Sequence, residues 1–263
     1  MFSPSWILLV AGLRKRSVAC FAALALVAIV TPARANLVVN GSFSTTTLGA
    51  SGQVYFNSTP DVSGWTATTI TNSTTTSVPL GFLFFSGHAK DALTDQFGTN
   101  NFQLAQAPTY PASSPDGGNF LAVDAAPAYK ASFFQSISGL KVGWAYVLTF
   151  YQAAGQQNGA AYNQPTTEQW SVTFGGQNLV STLMNNPIQG FTAWNTQTMR
   201  FTASATTQVL TFLSQGGPDG LPPFVFLDGV NLVETTPEPS TLVYAGIGLA
   251  GLIAARRLRK KRT

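Results

Sequence analysis

Apolar and polar positions alternate in short runs along the chain. Gln169–Phe174 puts Trp170, Val172 and Phe174 on one face, and Met199, Phe201 and Ala203 alternate with Thr198, Arg200 and Thr202. A period of two residues predicts half-buried strands. Trp144–Phe150, Gln208–Leu213 and Phe224–Val233 are apolar on both sides, which predicts central strands covered by a second sheet. Trp65 and Trp170 are expected in that core. Gly- and Pro-rich punctuation separates the runs at 115–118, 155–159, 175–176 and 216–220, and no segment between residues 36 and 234 keeps a helical period. The pattern predicts an all-β fold, a jelly-roll β-sandwich over residues 36–234. The Thr-rich stretch 66–77 reads as a strand or as a long loop.

The two ends follow other rules. Arg14, Lys15 and Arg16 precede an apolar stretch from Val18 to Val30, and Ala33-Arg34-Ala35 follows as a small-x-small site. Residues 1–35 therefore read as a secretory signal peptide cleaved before Asn36. Its long leading region also suits a start codon placed too early, and the faint lipobox ending at Cys20 lies ahead of the apolar core instead of behind it. Residues 235–263 combine Pro237-Glu238-Pro239, an uncharged apolar run from Leu242 to Ala255, and a basic cluster of Arg256, Arg257, Arg259, Lys260, Lys261 and Arg262. The two prolines keep their motif extended, since neither donates a backbone hydrogen bond and each restricts its predecessor. As a helix, 242–255 covers roughly 21 Å against a hydrocarbon core of roughly 30 Å, a short single transmembrane span whose basic end stays cytoplasmic.

Dividing the charge by region reverses its meaning. The whole chain carries +4, yet between Asn36 and Thr236 four basic residues face nine acidic ones, a net of −5. The high isoelectric point belongs to the ends and gives no reason to expect nucleic acid. The only cysteine, Cys20, leaves with the signal, so the mature chain has neither disulfide nor thiol catalyst and is held by its core. His88 is the only histidine, which leaves no partner for a zinc site and no base for a serine nucleophile. Asp116, Asp124 and Glu168 could supply the facing carboxylates of a glycan hydrolase, but nothing in the sequence brings two of them together. No enzyme is expected. A sugar-binding surface would instead use exposed rings with nearby amides, and Tyr129, Tyr162 and Trp194, each beside turn-like sequence, are the candidates.

The order of motif, short span and basic tail over residues 236–262 resembles the PEP-CTERM sorting signal of Gram-negative bacteria that make extracellular polysaccharide. That resemblance implies export through the inner membrane, processing by an exosortase-type enzyme, and a membrane-anchored, cell-surface or extracellular fate in a biofilm matrix. A second resemblance spans Asn36–Glu234. Asn40-Gly41-Ser42-Phe43, Gly64-Trp65, Ile137-Ser138-Gly139-Leu140, Trp194 and Phe226-Leu227-Asp228-Gly229-Val230 resemble the galactose-binding-like, carbohydrate-binding-module jelly rolls found ahead of such tails. The family often ties its first and last strands with calcium; Asp228 matches one ligand, while Ser44 stands where the other is Glu. Calcium is accordingly expected to add little stability. These resemblances imply a surface protein contacting exopolysaccharide, against the alternative of a structural spacer without a specific ligand. A flat aromatic platform would favour binding, and a uniform Thr/Ser/Asn surface the structural role. The Thr content raises ice binding too, but no regular Thr-x-Thr repeat is present.

Overall fold

The structure, a computed structural model, describes residues 35–54, 61–68, 70–72, 75–77, 80–89, 91–94, 101–105 and 114–235, together with Gly248 and Gly251. In chain order the strands are β1 (Gly52–Gln53), β2 (Thr66–Ala67), β3 (Ile70–Asn72), β4 (Thr75–Ser77), β5 (Gly81–Phe84), β6 (Leu93–Thr94), β7 (Asn101–Phe102) and β8 (Phe120–Asp124). They continue as β9 (Ser132–Ser138), β10 (Ala145–Gln156), β11 (Thr166–Phe174), β12 (Gln177–Val180), β13 (Met184–Asn186), β14 (Asn195–Thr202), β15 (Thr207–Gly217) and β16 (Pro223–Glu234). Sheet I runs β1-β5-β8-β16-β10-β14, and sheet II runs β12-β11-β15-β9-β2 with β13 also on β11. All pairings are antiparallel.

From β8 onward the chain crosses between sheets at almost every turn, giving β8-β16-β10-β14 opposite β9-β15-β11-β12. This is the jelly-roll order the sequence predicts. The exceptions are the β11–β12 and β12–β13 connections within sheet II; in the first, Gly175 (φ 59°) and Gly176 (φ 81°) make a two-residue turn that only residues tolerant of positive φ can form. The Thr-rich stretch resolves into β2 and the β3–β4 hairpin.

Strand alternation builds the interior. Trp170, Val172 and Phe174 point inward from β11, with Tyr146, Leu148 and Phe150 from β10 and Leu210 and Phe212 from β15. Phe212 meets Phe150 and Trp170 edge-on, at 5.1 and 5.8 Å between centroids. Trp65 and Trp170 are both fully buried. The Trp170 indole N–H donates to the Phe226 carbonyl at 3.0 Å, so no donor is stranded there.

One strand reading needs correction. Gln208–Leu213 does form a central strand, but a second sheet covers only its inner face; Val209 on the outer face remains 47% exposed. β16 is apolar on both sides for a different reason from the one expected. Val225 and Leu227 face sheet II, whereas Phe224 and Phe226 face a second apolar cluster on the far side of sheet I.

Candidate functional site

Three segments converge where the first and last parts of the sandwich meet. Asn36 bridges them, its Oδ1 accepting from the Val38 and Leu232 amides (both 2.9 Å) while Nδ2 donates to the Val230 carbonyl (3.1 Å). Asn40 adopts a left-handed φ of 54° and closes its turn with Thr45 and Ser63, and its carbonyl accepts the Trp65 indole N–H at 3.0 Å. Gly41 lies so close to β16 that a Cβ there would collide with the Val230 carbonyl oxygen. Asn40-Gly41, Gly64-Trp65 and Asp228-Gly229 therefore form one structural interlock, in which Gly41 is required by a close backbone approach and Gly64 and Gly229 by their positive φ of 82° and 59°.

Asp228 ends the interlock. It is fully buried, and the Ser114 hydroxyl donates to its Oδ2 while Oδ1 has no partner. Burial pushes its carboxyl up to about 7, against the pull of the Ser114 hydroxyl and the Gly229 N–H, and the nearby Asp116 carboxylate raises it further. Beside it, a groove of about 320 Å³ is lined by Asp116, Ser42, Gly229 and the Asn36–Gly41 segment. Ser44 is exposed and its hydroxyl turns to Ser42 at 3.3 Å. The donors fit a hard cation in kind: an unpartnered buried carboxylate oxygen with a second carboxylate close by. The sequence offered Asp116 as a turn residue in Pro115-Asp116-Gly117 or as one of a hydrolase's carboxylates, and nothing local announces its approach to Asp228.

The outer faces of the two sheets differ. Over sheet I, Phe82, Phe84, Phe120, Phe224 and Phe226 pack beneath Phe102, Phe191 and Trp194. Phe82 and Phe102 stack at 3.9 Å, Phe102 and Phe224 lie 4.7 Å apart, and Trp194 meets Phe120 edge-on at 5.5 Å. Trp194 is thus built into an aromatic layer, with its indole nitrogen buried and without a partner. Sheet II is open outside. Its cross-strand row Asn178, Thr173, Thr211, Phe134 and Thr66 is flanked by Gln169, Gln215, Ser136 and Val209, and no charged side chain projects from β2, β9, β11, β12 or β15 on this face. Asn178 Nδ2 donates to the Ser171 and Thr173 hydroxyls at 2.8 and 2.9 Å, fixing their orientation.

The other sequence candidates lie apart. Tyr129 is half-buried in the turn after β8, its amide bonded to the Ala126 carbonyl. Tyr162 is half-buried with its ring against Gly159 and its carbonyl accepting from Gln189 Nε2 at 3.0 Å, which makes it a loop anchor. His88 is exposed beside Asp91 at 3.2 Å. Asp124 is buried at the end of β8; burial pushes it up to about 7, the Ala126 N–H opposes this, and Asp219 adds to it. Glu168 is buried on the inward side of β11; burial pushes its carboxyl up to about 8, against the pull of the Thr166 hydroxyl.

Residues Ala33, Pro237, Glu238, Pro239 and the basic residues 256–262 lie outside the described residues, as do most of the expected signal peptide and span; Ala35 and Asn36 are exposed, and Gly248 and Gly251 are helical. Among the described residues no helix is long and apolar enough to cross a membrane. Residues 235–260 match the family described as the PEP-CTERM protein-sorting motif, so the chain carries that motif. No curated protein matches the chain. Similar solved structures include TmCBM61 in complex with beta-1,4-galactotriose, with 14% identity over 76% of this chain and 99% of that one and a TM-score of 0.40. A CBM4 structure gives 16% identity over 75% and 99%, with a TM-score of 0.33. A sugar binding protein described as putative from Bacteroides thetaiotaomicron VPI-5482 gives 14% identity over 76% and 100%, with a TM-score of 0.31. At these identities and scores the likeness assigns neither ligand nor role.

Proposed function

We propose that this chain is an exported surface or matrix protein, processed by an exosortase-type enzyme at Pro237-Glu238-Pro239, whose sandwich contacts neutral exopolysaccharide through the open face of sheet II. The tail reading rests on the sorting motif at residues 235–260. In it, residues 242–255 hold the precursor in the inner membrane and the basic cluster from Arg256 to Arg262 stays cytoplasmic.

The observation that carries the glycan reading is the chemistry of the open face. Hydroxyls and amides, interleaved with Phe134, Val209 and Leu213, offer hydrogen bonds and apolar contact to a sugar chain without a charge to desolvate. Tyr129, Tyr162 and Trp194 take loop and packing roles in this reading, and no catalytic step is assigned to the chain. Asp228 with Asp116 would hold a calcium ion, which supplies the positive charge missing beside two carboxylates. Its role is structural, tying the last strand to the 114–119 loop.

The test is retention of the full chain, in neutral detergent, on neutral and acidic polysaccharides. Thr211→Lys is expected to weaken neutral-glycan retention about tenfold, or about 1.4 kcal/mol, with Tyr129→Ala and Tyr162→Ala near the parent. Retention lost in the tyrosine variants but kept in Thr211→Lys would move the site to the turns. The structural-spacer reading is favoured by a separate observation, the enclosure of the aromatic rings over sheet I, and it predicts no retention on any glycan.

A further inference from the structure

Buried polar side chains gather at one end of the sandwich interior, where β10, β11 and β13 meet. There Gln152, Glu168 and Asn186 are each essentially fully buried. Cross-strand pairing sets Glu168 opposite Met184 and Thr166 opposite Asn186, so these four share one inward face. Asn186 Nδ2 reaches the Thr166 hydroxyl at 3.4 Å. Gln152 Nε2 donates to the Thr182 carbonyl (2.9 Å) and to Asn195 Oδ1 (3.2 Å), and Asn195 Nδ2 lies 3.6 Å from the Met184 sulfur, which links β10 to the same patch.

Both Gln152 Nε2 hydrogens are thus spent, and the Thr166 hydroxyl is left to donate to the Glu168 carboxyl. Gln152 Oε1 and Asn186 Oδ1 are buried with no hydrogen-bond partner, and the two buried Glu168 carboxylate oxygens have no donor beyond that hydroxyl. Three stranded acceptors in one region cost far more than a core of similar volume tolerates unless something positive sits among them. Among the described residues no Lys or Arg pairs with Glu168; Lys141 is engaged by Glu234 at 2.9 Å. We propose that this end of the interior is a site for a monovalent alkali cation, with the Glu168 carboxylate and the amide oxygens of Gln152 and Asn186 as its ligands. Oxygen-only donors select a hard cation. Charge balance selects a monovalent one, because a single carboxylate among neutral amides offsets one positive charge and a divalent ion would bury an uncompensated one.

The experiment is thermal unfolding of the full chain in neutral detergent with a chelator present, at one ionic strength, in choline, sodium and potassium chloride. Sodium or potassium is expected to raise the melting temperature over choline by about 5 °C. Glu168→Gln, folded by its far-ultraviolet spectrum, is expected to lose that rise, and Asp228→Asn to keep it. Equal melting temperatures in all three salts, with Glu168→Gln at least as stable as the parent, would overturn the proposal in favour of a neutral carboxylic acid donating its proton to an amide. A rise that survives in Glu168→Gln, or that disappears in Asp228→Asn, would also overturn it by placing the ion elsewhere.

Discussion

The two outer faces of the sandwich solve the same geometric problem in opposite ways. A sheet has two sides, and the other sheet covers only one. Over sheet I the chain folds back on itself and buries a layer of aromatic rings, so that β8 and β16 lie between two apolar cores. Sheet II leaves its far side to solvent and covers it with hydroxyls and amides. Aromatic content alone therefore does not identify a sugar platform, because Trp194, one of the rings that could form one, packs here into that layer.

The largest predicted effect separates the faces by stability. Phe226→Ala, deleting a buried ring that contacts Phe120, Phe191 and Trp194, is expected to cost about 3–5 kcal/mol. Thr211→Ala on the open face should cost less than about 0.5 kcal/mol; chemical denaturation measures both. Similar costs would erase the distinction.

A second contrast is in pH. Asp124 ends a strand whose Phe120 and Ala122 face the closed layer, whereas the open face holds no titratable group. Its carboxyl lies near 7 in the folded chain against 3.8 as the ordinary value, so the folded state binds the extra proton between those limits. This contribution to stability is fully present below about pH 4 and is lost as pH rises through about 7. Three units correspond to about 4 kcal/mol. Asp124→Asn, whose side-chain oxygen can still accept the Ala126 N–H, is expected to flatten the pH profile of the melting temperature between 4 and 7; an unchanged slope would assign it to Asp228 or Glu168.

Calcium sharpens the comparison at the edge of the closed face. Asp116→Asn and Asp228→Asn should each remove whatever calcium-dependent rise in melting temperature the full chain has. That rise is expected to be about 2–4 °C, corresponding to about 1 kcal/mol in a domain of this size. Val209→Thr on the open face, the smallest effect, should leave stability within about 0.5 kcal/mol of the parent.

Most of the architecture was legible because its signals are local. Alternation placed Trp170, Val172 and Phe174 inward, and the Gly175-Gly176 pair marked the end of that strand. The doubly apolar strand Phe224–Val233 signalled two covers, but a strand's own pattern cannot name the second one; it is the chain around Phe102 and Trp194, far away in sequence. The same limit hid the companions of Asp228 and Glu168. Asp116 reaches Asp228 across more than a hundred residues of chain, and the amides near Glu168 come from two other strands. Trp194 looked like a surface ring because turn-like residues precede it, yet its partners Phe120 and Phe226 are remote in sequence.

Hydroxyl-radical footprinting of the full chain, with and without neutral exopolysaccharide, addresses the contrast between the faces most directly. Phe134, Val209 and Leu213 should be labelled in the free protein and protected by glycan, while Phe82, Phe120 and Phe226 stay unlabelled in both. Labelling of Phe120, Phe226 or Trp194 that glycan suppresses would contradict the account, because it would make the layer over sheet I the open binding face and sheet II a bystander.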